Sequence, residues 1–251
     1  MSFEVAGSDY DRFMGRYSRL LAPQLADFAG FTSGQRVIDV GSGPGALTEE
    51  LCSRLGSSAV VATDPSAPFI AALRERLPGV ETAQAPAEAL PFGDDAFDVA
   101  LAQLAVHFMK DAVAGLGEMA RVTRPGGVIA ASVWDLAGDR TPLSVLWRAA
   151  REMDPDVHDE SGLAGAQEGA LAALFQQAGV TRVESTEHEV PFRPATFEEW
   201  WDPFELGVGP AGQYVASLDD DARVAVRERC RELLPDARPA VAWVARGVVP
   251  D

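Results

Sequence analysis

The chain has 251 residues, 47% of them apolar, and no apolar run near the ~18 residues of a membrane span; it has the size and composition of one α/β domain. A formal charge of −17 excludes nucleic acid as the expected partner, because a polyphosphate surface has to be neutralised by Lys and Arg. Cys52 and Cys230 have neither metal-ligand spacing nor a neighbouring histidine and read as reduced structural thiols. Arg12, Arg16 and Arg19 lie inside an amphipathic pattern rather than ahead of an apolar block, so no leader is read there and the expected location is the cytoplasm.

In chain order, an N-terminal helical segment (1–30) is predicted to be helical over 10–28. Short β-rich runs at 36–40, 59–63, 80–85, 97–102 and 128–134 then alternate with helix-compatible stretches at 46–55, 68–77, 112–122 and 168–178. That alternation predicts a doubly wound, mostly parallel, Rossmann-like sheet with ligands at the carboxyl ends of its strands. Two further strands, 181–192 and 240–249, complete seven and form an antiparallel pair at one edge. Residues 135–165 and 194–239 break the alternation and carry Pro, Gly and large aromatics; they read as insertions forming a cap over a single domain spanning 1–251.

The strongest local signal is Val37-Ile38-Asp39-Val40-Gly41-Ser42-Gly43-Pro44-Gly45-Ala46, an apolar strand entering a glycine turn and then a helix. Glycines let the backbone turn sharply and come close to a ligand. Gly41, Gly43 and Ala46 also satisfy the dinucleotide fingerprint, with Asp64 well spaced to take ribose hydroxyls, so an NAD-type oxidoreductase is one reading. Charge separates the cofactors. A dinucleotide brings an anionic pyrophosphate to this turn, whereas S-adenosylmethionine brings an ammonium and a sulfonium, which Asp39 suits better. The competing role for Asp39 is to cap loop or helix amides, and for Asp64 to cap the helix after Pro65-Ser66.

Three further segments follow in order: Ala87-Glu88-Ala89-Leu90-Pro91-Phe92, Phe97-Asp98-Val99 and Arg121-Val122-Thr123-Arg124-Pro125-Gly126-Gly127. With the glycine loop and Asp64, this series resembles the class I S-adenosylmethionine-dependent methyltransferases of the small-molecule type related to ubiquinone and menaquinone biosynthesis enzymes. The resemblance covers residues 10–134 and implies a methyl transfer to a small organic acceptor. It implies that Gly41, Ser42 and Gly43 cradle the methionine portion, that Asp64 binds the ribose, and that Pro65 and Ser66 border the adenine, which Ala87 and Glu88 flank. Family members commonly have an acidic residue just before that Ala-Glu pair. Pro86 stands there instead, which leaves adenine recognition to backbone groups or Glu88. Gln103 matches a position whose backbone meets the methionine end, unless it merely starts the next helix. The opening segment resembles the one that folds over the cofactor; its aromatic spacing fits a helix core, with Arg16 and Tyr17 kept as cofactor candidates. A methyltransferase fold that binds the cofactor without methylating is the third reading.

Methyl transfer relies largely on alignment of nucleophile, methyl and sulfur, and needs a general base only where the attacking atom arrives protonated. Of His107, His158 and His188, His107 lies nearest the expected site and is the one catalytic candidate, with a structural role as its competitor. Asp154, Asp156, Asp159 and Glu160 around His158 read as a solvated acidic loop, and their spacing predicts no metal. Phe197, Trp200, Trp201, Phe204 and Tyr214 are candidates for an apolar acceptor pocket, with cap core as the alternative; the same applies to Trp134 and Trp147.

Overall fold

A computed structural model describes residues 6–251, the side chain of Asp236 aside, so the first five residues of the predicted N-terminal segment lie outside the described residues. That segment forms α1 (Gly7–Tyr10), a widened π-helical turn at Asp11–Gly15, and α2 (Arg16–Ala29), which ends where Gly30 takes a left-handed conformation. The chain then enters β1 (Val37–Val40), all four residues buried, followed by α3 (Ala46–Leu55), β2 (Val60–Asp64), α4 (Ala67–Arg76) and β3 (Glu81–Gln84). It crosses back to β4 (Phe97–Gln103), α5 (Ala112–Val122) and β5 (Thr123–Trp134). The continuous apolar runs of β1, β2 and β4 are those of strands covered on both faces by helices.

The sheet order is β3-β2-β1-β4-β5-β7-β6, with β6 (Thr181–Val190) at the edge and β7 (Ala240–Val248) between it and β5. The first five strands are parallel; β7 is antiparallel to both neighbours, so the reversed strand lies one place in from the edge. β5 starts five residues ahead of its predicted position. The register between β4 and β5 shifts, and Thr123 pairs with Phe97 before the Arg124-Pro125-Gly126-Gly127 turn is accommodated.

After β1 the chain moves outward through β2 and β3, then returns to lay β4 on the other side of β1. The order therefore reverses between β1 and β4, which opens a crevice beyond their carboxyl ends. Over that end sit α6 (Ser144–Met153) from the first insertion, with α8 (Phe197–Trp201), α9 (Gly209–Ser217) and α10 (Asp220–Leu233) from the second. The helix preceding β6 is α7 (Ala170–Gln177). A single apolar cluster joins the N-terminal segment to both insertions through Phe13, Leu21, Trp147, Trp200, Phe204 and Cys230. Among the described residues no helix is long and apolar enough to cross a membrane.

Candidate active site

The crevice holds a cavity of about 420 Å³, walled by the β1 turn, the end of β2, residues 84–88, the end of β4 and Tyr10 of the N-terminal segment. The turn begins where β1 ends. Gly41 has a φ of 71°, and a Cβ there would stand 2.5 Å from that of Ala105, so only glycine lets the β1 and β4 ends approach this closely. The loop amides are held internally: those of Gly41 and Ser42 donate to the Thr63 carbonyl at 2.8 and 2.9 Å, and that of Gly43 to Asp64 Oδ2 at 2.9 Å. A turn whose amides are engaged in this way offers few donors to a pyrophosphate.

Acceptors, by contrast, are left over. Asp39 is fully buried. Its Oδ2 accepts from the Thr48 hydroxyl at 2.6 Å, while Oδ1 has no hydrogen-bond partner among the described residues. Burial pushes this carboxyl up to about 7 against the opposing Thr48 bond, and the Asp64 charge adds to the rise. Gln103, the last residue of β4, donates from Nε2 to the Ser18 carbonyl of α2 at 3.0 Å and leaves a buried Oε1 likewise unpartnered. Both side chains line the cavity. Two buried acceptors without donors are an unfavourable arrangement until a ligand brings N–H groups or positive charge to them.

Asp64 ends β2 and organises the next turn: Oδ2 receives the Gly43 amide and Oδ1 the Ser66 amide at 2.8 Å. Burial raises its carboxyl to about 6 in spite of those two donors, and each oxygen keeps a lone pair for a further hydroxyl. Beyond it, Pro65, Ala87 and Glu88 form the wall with Pro86. Glu88 clamps that wall, its Oε1 accepting from the backbone amides of Lys110 and Asp111 at 2.6 and 3.2 Å.

Three candidates stand elsewhere. Ser66 caps α4, accepting from the Phe69 amide at 3.3 Å, and does not line the cavity. Arg16 is drawn away from the cavity by Glu199 of the cap, bonding both its Oε1 and its carbonyl, while Tyr17 packs on Phe192 in the cap core. The segment does cover the cavity, but through Tyr10 and Asp11, nearly two turns earlier, and through Ser18. Tyr10 sits edge-on to Phe69 at 5.2 Å, and Asp11 beside it is ion-paired to Arg76. A helical pattern shows which face is apolar; which turn of it closes a crevice depends on where the helix begins relative to the sheet.

A second, smaller chamber adjoins the first and shares Tyr10, Leu104 and Phe108 with it. His107 lies here and is buried; burial lowers its imidazole to about 3, and Nδ1 has no partner among the described residues. Trp134 borders the same space with an unpartnered Nε1. So does Glu160, which is 4% exposed rather than solvated with its acidic neighbours: Oε2 accepts from Trp147 Nε1 at 3.0 Å, and burial raises the carboxyl to about 7. The aromatic residues of the second insertion do not reach either cavity. Trp200, Trp201 and Phe204 are buried as cap core, Phe197 packs with them, and Tyr214 packs on Trp147. Among the described residues no group of three or more His, Cys, Asp or Glu is arranged to hold a metal ion.

Residues 38–131, which contain the β1 turn, Asp64, the 84–88 wall and the end of β4, match the methyltransferase domain family. The malonyl-[acyl-carrier protein] O-methyltransferase of Erwinia billingiae is 33% identical over 147 residues, 59% of this chain and 57% of that protein. The chain thus spans little more than half the length of that relative. An uncharacterised Mycobacterium tuberculosis protein, Rv1405c, is 34% identical over 210 residues, covering 82% of this chain and 75% of its own length. In fold, the chain is similar to Haemonchus contortus phosphoethanolamine N-methyltransferase 2 in complex with S-adenosyl-L-methionine, with a TM-score of 0.60 at 16% identity over 98% of this chain and 60% of the other. The domain match, these relatives and the reversal of strand order around the β1 turn agree: residues 38–131 of this chain belong to the methyltransferase domain family.

Proposed function

We infer that the larger cavity binds S-adenosylmethionine and that the chain transfers its methyl group to a small organic acceptor. The observation that carries this reading is the pair of buried, unpartnered acceptors, Asp39 Oδ1 and Gln103 Oε1, beside a glycine turn whose amides are already engaged. That set of acceptors fits a cationic amino-acid head and not a pyrophosphate, which weighs against an NAD-type oxidoreductase. On this reading Asp39 and Gln103 face the methionine end, Asp64 takes the ribose hydroxyls, and Pro65, Pro86, Ala87 and Glu88 border the base. When bound, the cofactor supplies an electrophilic methyl on a good leaving group. The chain supplies alignment, with Tyr10 of the N-terminal segment over the cavity. Small molecules are favoured over nucleic acid by the charge of −17, and the same reading makes residues 1–251 one catalytic domain acting in the cytoplasm.

Calorimetric titration with S-adenosylmethionine, S-adenosylhomocysteine and NAD tests the cofactor; the first two should bind and NAD should not, and a preference for NAD overturns the reading. Incubation with methyl-labelled cofactor and a cell extract should then yield a labelled small molecule. Tight binding with no labelled product would leave a fold that binds the cofactor without methylating.

A further inference from the structure

We propose that the smaller chamber receives the reacting head of the acceptor, and that this head is an uncharged oxygen group, an alcohol or phenol, held by Trp134 Nε1, His107 Nδ1 and Glu160. The proposal rests on the cofactor reading of the neighbouring cavity. The chamber meets that cavity across Tyr10, Leu104 and Phe108. At that boundary Leu104 holds a φ of 55°, a left-handed conformation rare for a side chain of its size. Backbone strain of this kind persists where the surroundings over-determine it, as they do between two ligand spaces.

The chemistry of the walls selects the head group. Among the described lining residues of the chamber there is no Arg or Lys, and the one ionisable acid is Glu160. A carboxylate or phosphate would therefore enter an apolar enclosure with no countercharge, which is strongly unfavourable. This separates the chain from its Erwinia relative, whose name specifies a malonyl acceptor. An ammonium could pair with Glu160, but the buried N–H of Trp134 would then face a positive group and still lack an acceptor. A hydroxyl meets all three requirements: its oxygen accepts from Trp134, and its proton points to His107 Nδ1 or to the Glu160 carboxyl. Glu160 is held in place by Trp147 at 3.0 Å. His107 is uncharged, since burial lowers its imidazole to about 3. The chamber measures about 30 Å³. That is space for roughly two waters, hence for a head group and not a large body. Its wall at Gly209, Pro210 and Ala211, the start of α9, is built on the cap.

The test uses benzyl alcohol, benzoate and benzylamine, matched in body and different in head, titrated into the full chain saturated with S-adenosylhomocysteine. The indole N–H resonances of the five tryptophans are followed by NMR, that of Trp134 being identified by its loss in Trp134→Phe. Benzyl alcohol should shift the Trp134 resonance and bind at least ~10-fold more tightly than the other two; in Trp134→Phe its affinity should fall ~5-fold or more, with S-adenosylhomocysteine affinity unchanged. Equal or better binding of benzoate or benzylamine, or a Trp134 resonance that none of the three moves, overturns the proposal. The wild-type ranking needs no variant to fold. Repeating it without S-adenosylhomocysteine separates the proposals, because failure of that compound to bind defeats the cofactor reading while the head-group ranking still reports on the chamber.

Discussion

Asp39 carries a cost in the ligand-free protein that its function explains. A fully buried carboxyl with one unpartnered oxygen has its ordinary value raised to about 7, so near neutral pH the fold is strained by a group that only a cationic ligand satisfies. Asp39→Asn keeps the volume and an acceptor for Thr48 but removes the charge. It should stabilise the ligand-free protein at pH 8, by roughly 1–4 kcal/mol, while weakening S-adenosylmethionine about tenfold or more. Thermal scans and calorimetry on one preparation check both signs, and a variant that binds normally would show that Asp39 faces away from the ligand's charge. Asp64 predicts the opposite pattern, because its oxygens already hold the Gly43 and Ser66 amides. Asp64→Ala should lose about 1–3 kcal/mol of stability by denaturant titration as well as cofactor affinity, so the two carboxylates are distinguishable by what their removal does to the empty protein.

At the level of elements, the site is a junction of strand ends, and Gly41 sets their spacing. Ala at that position must place a Cβ at 2.5 Å from Ala105 while keeping a φ of 71°. Gly41→Ala should therefore cost several kcal/mol and shift the denaturation midpoint, whereas Gly34→Ala, with no neighbour within 4 Å but a φ of 89°, pays only the backbone part of that penalty. The strand–turn–helix order that makes this junction was legible in the sequence, because apolar periodicity and glycine placement are local signals; α3 and α5 occupy their predicted spans, 46–55 and 112–122. The walls contributed by the cap were not legible. Glu160 sits in a run of acids that composition assigns to solvent, and only the distant Trp147 indole explains its burial. Likewise the aromatics of 197–204 carry the signature of a ligand pocket, yet they pack on one another, and the lining comes from Gly209, Pro210 and Ala211, which have no such signature. The partners of Arg16 and Tyr17 were hidden for the same reason: Glu199 and Phe192 are more than 170 residues away along the chain.

At the level of the whole molecule, the buried acids couple ligand binding to pH. Asp39, Asp64 and Glu160 are raised to about 7, 6 and 7 in the folded protein, against about 4 for carboxyls in an unfolded chain. Between those values the folded state binds protons that the unfolded state has released. Their stabilising contribution is thus fully present below about pH 4 and is lost as pH rises through 6 to 7. Arg-paired acids such as Asp98 and Glu118 are held below their ordinary range and act in the other direction, losing their contribution as pH falls into the acid range. A charge of −17 adds self-repulsion that also grows with pH. The ligand-free protein should therefore be most stable in mildly acidic solution, at about pH 5–6, and less stable at pH 8. The ligand reverses the sign at two of the three acids, since positive charge beside Asp39 and hydroxyl donors to Asp64 both favour the ionised forms. Binding must then release protons below pH 7, and S-adenosylmethionine affinity should rise from pH 5 to pH 7, most steeply near pH 6. Calorimetry in buffers of different ionisation enthalpy measures that release directly. Affinity independent of pH, with no proton released, would mean that the ligand holds neither carboxylate in its ionised form.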